Sequence, residues 1–406
     1  MSKRLLISLI FLSLLTTACG SLDVGIDTDP PILTLTPSPT QPSPTQAPVL
    51  TPTHLPQSQP QFIAYVSDGQ LLVSDVTNGV LGGTTQYTVA GESDQVTDVT
   101  WSPSGEFVAF VSMATGEPHL FYIFALGQSS PTDLGPGTSP AWSPDSQSLA
   151  YVQDSYPDSN LWITTLDNPA PRQLTFETNH AWGQPAFALD GPALIVTTSD
   201  RNNMGAQGNT SFTLEQLALD GSGTRTPLPG ATPFEGLRLP LALRFSPDGA
   251  QLAFSSSYHL SACASPGAYY VTDAEGGNRR ELISPSLQSA IVPGQEQYHI
   301  AAGYVWSPAG DALAVSGLVV NCDFNSSDMG KIVAGPQLSI LGLDGSERLI
   351  IPALFYGLSY DRTGMLLSAA HYQDNQDTAP MVEIYSAQSG QLILSVGPGS
   401  NPAFQP

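Results

Sequence analysis

The chain has 406 residues and a formal net charge of −23, from 12 Lys and Arg against 35 Asp and Glu. So acidic a surface disfavours nucleic acids and anionic lipid head groups as partners, and we expect no nucleic-acid binding. Only 12% of the residues are charged, whereas Gly (37) and Pro (36) are abundant. This composition argues against a helical protein and favours an all-β fold of short strands and turns.

The N-terminus resembles a bacterial lipoprotein signal. Met1–Arg4 is basic, Leu5–Leu15 is a short apolar run, and Thr16–Cys19 follows. An apolar run of this length is too short to span a membrane and is typical of a secretory signal peptide. We therefore predict a signal peptide over residues 1–18 and lipidation of Cys19. The lipid would anchor an exported protein on the outer side of the cytoplasmic membrane or on the cell surface. The alternative is an ordinary cleavage site that contains a cysteine.

Residues 19–60 are predicted to comprise the lipidated cysteine and a linker rich in Pro, Ser and Thr, of which Thr36–Pro44 is typical. Such a composition cannot bury apolar surface and favours the extended polyproline II conformation. The linker would hold the following domain away from the membrane.

A short sequence motif is repeated along the rest of the chain. It consists of an aromatic residue, a Ser-Pro-Asp-Gly turn and a second apolar run. In Leu243–Phe254, Pro247 fixes a turn backbone, Asp248 can bond its own backbone, and Gly249 accepts a positive φ. The motif recurs at intervals of 41 to 61 residues, measured from one aromatic residue to the next. Its other copies are Trp101–Gly105, Trp142–Ser146, Phe187–Gly191, Trp306–Gly310 and Tyr360–Gly364, with a truncated copy at Pro402–Pro406.

A period above 40 residues with four strand-like runs per unit is the signature of propeller blades. The repeat predicts a seven-bladed β-propeller of four-stranded antiparallel blades over residues 61–406. The end of the chain, Pro402–Pro406, matches the start of a blade, and Phe62–Val66 matches the second strand of one. We therefore predict that the C-terminal strand pairs with the first blade and closes the ring. We expect a monomer.

The motif, together with a later Asp-x-x-Gly-x-x-Arg-x-Leu turn, resembles the repeat of the TolB-type propeller, a relative of the WD-repeat proteins. Asp273–Leu282 and Pro171–Thr175 carry the second half of this pattern. The resemblance covers about residues 61–406 and implies the fold. It implies little about function, because the matching residues build hairpins rather than a site.

In a four-stranded meander, successive connections lie alternately on two faces. The short, stereotyped turns therefore share one face, and the long connections share the other. Long loops on a rigid scaffold commonly bind partners. The long connections are Ser199–Ser211, Tyr258–Gly267, Ser284–Gly303, Leu318–Val333 and His371–Pro380. On this face we predict binding of a protein or an envelope glycan. The candidate residues are His180, Trp182, Tyr258, His259, His299, Phe324 and His371.

The alternative is a metal-dependent enzyme that acts on polysaccharide. Pectate-oligomer lyases with similar repeats hold a divalent metal with several histidines on one face, and five histidines of this domain lie in or beside the long connections. Carboxylates and imidazoles together suit Mn²⁺, Zn²⁺ or Ca²⁺. No lyase ligand could be matched residue by residue, so no catalytic residue and no cofactor is assigned. No G-x-S-x-G, H-E-x-x-H, P-loop or C-x-x-C motif is present.

Two cysteines remain beside Cys19 in a chain predicted to be exported, and this favours a disulfide between them. Cys263 and Cys322 follow the aromatics Phe245 and Trp306 at similar distances, in equivalent connections of neighbouring blades. We predict that they are bonded to each other.

Overall fold

The computed structural model describes residues 60–88, 96–113, 117–124, 130–155, 158–189, 193–203, 210–240, 242–257, 266–372 and 379–406. The compact unit runs from Gln59 to Pro406. Seven four-stranded antiparallel sheets form it, and two further strand pairs extend the fourth. The all-β, seven-bladed propeller predicted by the repeat is confirmed.

The first three blades are regular meanders, and the last strand of the chain completes blade 1. Blade 1 contains β1 (Phe62–Ser67), β2 (Gln70–Asp75), β3 (Thr84–Tyr87) and β32 (Ser400–Phe404). Blade 2 contains β4 (Val96–Trp101), β5 (Phe107–Ser112), β6 (His119–Phe124) and β7 (Thr132–Pro136). Blade 3 contains β8 (Thr138–Trp142), β9 (Ser148–Ser155), β10 (Asp158–Thr165) and β11 (Arg172–Gln173).

Blade 4 is the irregular one, with an innermost strand of only two residues. It contains β13 (Ala186–Phe187), β14 (Ala193–Val196), β17 (Glu215–Ala218) and β18 (Arg225–Pro227). Beside it, β12 (His180–Trp182) pairs with β15 (Thr198–Asp200), and β16 (Thr210–Phe212) pairs with β19 (Phe234–Leu237).

The last three blades follow the regular order again. Blade 5 contains β20 (Leu243–Phe245), β21 (Gln251–Ser257), β22 (Gly267–Asp273) and β23 (Arg280–Leu282). Blade 6 contains β24 (Gln297–Trp306), β25 (Ala312–Asn321), β26 (Ile332–Gly342) and β27 (Glu347–Ile351). Blade 7 contains β28 (Tyr356–Tyr360), β29 (Leu366–His371), β30 (Met381–Ser386) and β31 (Leu392–Pro398).

Helical structure is limited to the short helix α1 (Pro285–Ala290) and 3-10 turns at Thr77–Gly79 and Arg201–Asn203, within the ranges described. Ser284 caps α1, because its side chain accepts a hydrogen bond from the backbone of Leu287, and Pro285 suits the first turn. In the same part of the chain, no helix has the length and apolar character needed to cross a membrane.

The core lies between the blades. Seven apolar clusters are each built from the facing sides of two successive blades, including the pair formed by blades 7 and 1. This follows from the sequence, because apolar residues on both faces of a strand require a sheet on each side. The ring is therefore held together by sheet-on-sheet packing.

The predicted closure is confirmed. β32 pairs antiparallel with β1, placing Ile63 opposite Phe404 and Ala64 opposite Ala403. The backbone of Phe404 also donates to Ser359 Oγ of blade 7 at 2.9 Å. β32 thus covers the edge that β1 would otherwise expose.

Three of the predicted long connections are partly regular structure. Ser199–Ser211 contains the end of β15, the 3-10 turn at Arg201–Asn203 and the start of β16. Residues 297–303 belong to β24, and residues 285–290 form α1. Residues 318–321 and 332–333 extend the hairpin of β25 and β26. Val319 pairs with Ala334 and Val320 with Ile332 across the hairpin, and the β-branched Val319, Val320 and Ile332 favour strands.

Candidate functional site

Consecutive connections alternate between the two ends of the propeller. We call the end with the Ser-Pro turns the turn face and the opposite end the loop face. On the turn face, Ser246 Oγ accepts from the backbone of Gln251 at 3.0 Å and donates to Asp248 Oδ1 at 2.6 Å. Ser143 makes the same two bonds to Ser148 and Asp145. The repeated Ser and Asp therefore hold hairpins in shape.

On the loop face, the strands of blade 6 extend into a long hairpin. The blade-6 hairpin consists of β25, residues 322–331 and β26. Its tip is held by local bonds: the backbone of Gly330 donates to Asn321 O at 2.7 Å, and that of Asn325 donates to Asp323 Oδ1 at 2.8 Å. At its base, the backbone of Cys322 donates to Glu296 O at 2.7 Å. The tip is thus a fixed structure.

The blade-6 hairpin presents large apolar side chains to solvent. Phe324 is 58% exposed, Met329 46%, Ile332 45% and Val333 40%. Exposed apolar surface is typical of protein interaction sites, and the occurrence of four such side chains within residues 324–333 makes this hairpin the candidate. Of the predicted binding residues, Phe324 is the one that belongs to this group.

The two predicted residues of blade 4 have structural contacts. Trp182 is 8% exposed and lies in the core between blades 3 and 4. Its Nε1 donates to Ser159 O at 2.9 Å, and Arg225 Cζ lies 5.2 Å from the ring centroid. His180 Nδ1 is 2.9 Å from Thr178 O. The Trp182 ring therefore belongs to the blade packing rather than to an exposed binding surface.

His299 is also enclosed. It lies on β24 with 5% of its surface exposed, and its Nδ1 is 2.7 Å from Gly267 O. This distance places the proton on Nδ1 of the neutral ring. Burial lowers the pKa of His299, and the bond to Gly267 offsets this only in part.

His371 ends β29, with its Nδ1 3.5 Å from Glu383 Oε2. The Phe355 ring centroid lies 5.1 Å from that of His371, and the Tyr385 hydroxyl donates to Glu383 Oε2. Only 13% of the His371 side chain and 5% of the Glu383 side chain are exposed. This pair therefore lies inside blade 7.

Cys19, Tyr258, His259 and Cys263 lie outside the described residues. Cys322 is fully buried and disulfide-bonded, and its pairing with Cys263 stays a prediction. Over the ranges that the structure covers, no three His, Cys, Asp or Glu side chains lie together in a way that could hold a metal ion.

The inner strands enclose a central cavity of about 560 Å³. Arg244 of β20 and Asp98 of β4 line it, as do Asp361 and Arg362 at the start of the blade-7 turn. Asp361 is engaged, since Oδ1 accepts from the backbone of Leu366 at 2.8 Å and Oδ2 accepts from Thr363 Oγ1 at 2.5 Å. The presence of Pro247 and Pro308 in the lining places the cavity towards the turn face.

Asp98 is exposed at the cavity but is surrounded by protein on most sides. This partial burial raises the pKa of its carboxyl, while the backbone of Ser139 and the charge of Arg244 lower it. Asp98 has a φ of +51°, at a register shift between Thr97 and Thr100. Such bulges re-aim side chains.

The sequence did not single out Asp98 and Arg244, although the repeat contains the signal. They stand three positions and one position before the aromatic of their blades, and comparing those two positions over all seven copies would have marked both as unusual.

No protein-family model matches the chain. An uncharacterized peptidase of Bacillus subtilis (strain 168) is 29% identical over 114 residues, which cover 26% of this chain and 17% of that protein. The chain therefore matches only a small part of that relative's length.

Several solved propeller structures are similar to the chain. An oligogalacturonate lyase in complex with manganese is 15% identical with a TM-score of 0.52, over 82% of this chain and 83% of that one. The oligogalacturonate lyase of Vibrio parahaemolyticus is 13% identical with a TM-score of 0.50, over 83% and 85%. TolB of Acinetobacter baumannii is 15% identical with a TM-score of 0.45, over 85% and 67%.

Identities this low indicate a shared fold and carry no function with them. TolB proteins are among the solved structures that are similar to the chain. The chain is a seven-bladed β-propeller similar in fold to the two lyases.

Proposed function

We propose that the protein is an exported, lipid-anchored propeller that binds another protein of the cell envelope through the blade-6 hairpin. The observation that carries this proposal is the exposure of Phe324, Met329, Ile332 and Val333 on one hydrogen-bonded hairpin. Because the segment is already ordered, docking a partner there costs little conformational entropy.

The chemistry of these side chains favours a protein over a glycan. Met329, Ile332 and Val333 are aliphatic and offer no ring face on which a sugar could stack. Met is adaptable and is enriched, with aromatic residues, in protein interfaces. A glycan remains the second binding partner, with Phe324 as its stacking residue.

Export is supported by the basic and apolar start of the chain and by Thr16–Cys19. A disulfide-bonded Cys322 suits an oxidising compartment outside the cytoplasm. Anchoring through Cys19 would leave the propeller free to meet partners at the end of an extended linker.

The test is site-specific photo-crosslinking in the cells that produce the protein. A photoreactive amino acid replaces Phe324 in one variant and Leu392 in the control, since Leu392 is 46% exposed but lies on the outer strand β31. We expect a crosslinked envelope protein from position 324 alone, and its loss when Met329 and Ile332 are both changed to Ser.

The opposite results are informative. Identical adducts from positions 324 and 392, or none from 324, would contradict the proposal. A second variant replaces residues 323–330 by a Gly-Ser turn. If it still retains envelope material, whereas variants of the Ser-Pro turns do not, the binding surface is the turn face. Polysaccharide cleavage that a chelator abolishes would favour the metal-dependent enzyme.

A further inference from the structure

The central cavity contains a charged side chain that the repeat does not require. The residues directly before the motif aromatics, one per blade, are Ala403, Thr100, Ala141, Ala186, Arg244, Val305 and Ser359. Six of the seven are uncharged and short, so blade geometry is compatible with a small residue there. Arg244 is the exception, and its backbone already performs the structural task by accepting from Trp306 Nε1 at 3.0 Å.

The guanidinium of Arg244 makes no hydrogen bond or ion pair with any residue that the structure describes. Other arginines of the propeller are engaged: Arg172 donates to Leu219 O at 2.6 Å, and Arg348 donates to Asp311 Oδ2 at 2.5 Å. A guanidinium carries five N–H donors in a planar fork that matches a carboxylate. That of Arg244 keeps this capacity for a bound anion.

A second position of the repeat also has a charged residue in only one of the seven blades. The residues three before the aromatic are Asn401, Asp98, Ser139, Gln184, Ala242, Gly303 and Gly357, of which only Asp98 is charged. Asn401, Asp98 and Ser139 have φ values of +49°, +51° and +55°. A backbone conformation that disfavours side chains is thus maintained on neighbouring inner strands, as is found around binding sites.

We propose that the central cavity binds a small organic acid, whose carboxylate pairs with Arg244 and whose hydroxyl or ammonium group donates to Asp98. The cavity volume, about 560 Å³, lies in the range of small-molecule sites. Asp98 and Asp361 would repel a doubly charged phosphate, and Arg244 and Arg362 would repel a metal cation. A ligand with one carboxylate and one donor group satisfies both Arg244 and Asp98.

The proposal is independent of the blade-6 hairpin, and equilibrium dialysis of the detergent-solubilised full-length protein tests it. The probes are radiolabelled L-lactate, glycine and acetate, with lactamide as the neutral analogue and inorganic phosphate as the multivalent anion. We expect saturable binding of lactate or glycine, weaker binding of acetate, and none of lactamide. Failure of all three carboxylates to bind, or tighter binding of phosphate, would overturn the proposal.

Variants locate the site. Arg244→Gln should weaken binding about tenfold or more, because a charge-assisted bidentate contact is lost, and Arg244→Lys should be intermediate. Asp98→Asn should weaken lactate or glycine more than acetate. Arg348→Gln, at an arginine outside the cavity, should bind as the wild type does. Equal affinities for wild type and Arg244→Gln would overturn the assignment. Neither Arg244 variant removes an internal hydrogen bond of the side chain, so both should fold.

Discussion

Three tryptophan indoles connect the inner strands of neighbouring blades. Trp101 Nε1 donates to Ala403 O at 2.8 Å, Trp142 Nε1 to Thr100 O at 3.3 Å, and Trp306 Nε1 to Arg244 O at 3.0 Å. In each case the acceptor is the residue before the aromatic of the preceding blade. The aromatic of the repeat therefore has a polar role besides its packing, which Phe and Tyr at the same position do not reproduce.

The substitution Trp101→Phe measures this role. We expect it to lower the free energy of unfolding by about 1 kcal/mol more than Trp162→Phe does, because only Trp101 loses an indole hydrogen bond. Trp162 is the matched control, since its N–H donates to no described residue. Chemical denaturation of both variants gives the comparison. Equal losses would show that the bond contributes nothing.

His299 predicts a pH dependence of stability. Histidines of the unfolded chain take up protons below about pH 6.5, but folded His299 does so only at lower pH because burial lowers its pKa. In that window the unfolded state binds more protons. The contribution of His299 to stability is therefore complete above about pH 6.5 and decreases as the pH falls towards the folded pKa.

The variant His299→Gln should lose this contribution. We expect its free energy of unfolding to fall less than that of the wild type between about pH 6.5 and pH 5. The wild type measured over the same pH range is the reference for this slope. Parallel curves for His299→Gln and the wild type would rule out His299 as the titrating group.

At the scale of elements, β32 is the strand that completes blade 1. Phe404 is 4% exposed and packs in the cluster between blades 7 and 1, and Gln405 Nε2 donates to Gly105 O at 2.7 Å. Deleting residues 398–406 exposes this cluster and the edge of β1. We expect the melting temperature to fall by many degrees, or the protein to remain unfolded.

The matched control for this deletion removes residues 22–58, which precede the compact unit. Its melting temperature should equal that of the wild type. A protein without residues 398–406 that melts as the wild type does would mean that the closure contributes no stability.

At the scale of the whole molecule, the predicted bond between Cys263 and Cys322 would link blades 5 and 6. Closing a loop of this length stabilises a fold by about 4 kcal/mol on chain-entropy arguments. Reduction should therefore lower the unfolding free energy by about that amount. Thiol titration of the unreduced, denatured protein should find no thiol from either cysteine. A positive titration would refute the pairing.

The architecture could be predicted from the sequence because a propeller repeats its hairpin motif, and each copy of the motif specifies the same local hydrogen bonds. Lengths and sites were harder to predict. The blade-6 hairpin is longer than expected because Val319 pairs with Ala334 and Val320 with Ile332, which depends on contacts across the hairpin. Trp182 is buried by its neighbours in blades 3 and 4, and no local pattern distinguishes it from an exposed aromatic. Arg244 can be recognised as a candidate binding residue only once the fold places it in the lining of the central cavity.

Blade 1 is assembled from both ends of the chain, and this gives the propeller a mechanical property. β1, the first strand after residues 19–60, lies between β2 and β32 rather than at an edge. A pull on Pro60 along the strand is therefore resisted by two antiparallel ladders in shear, whereas an edge strand would peel away one bond at a time. If the propeller is anchored through Cys19 as proposed, this arrangement would let it bear load between the anchor and a bound partner without the ring opening.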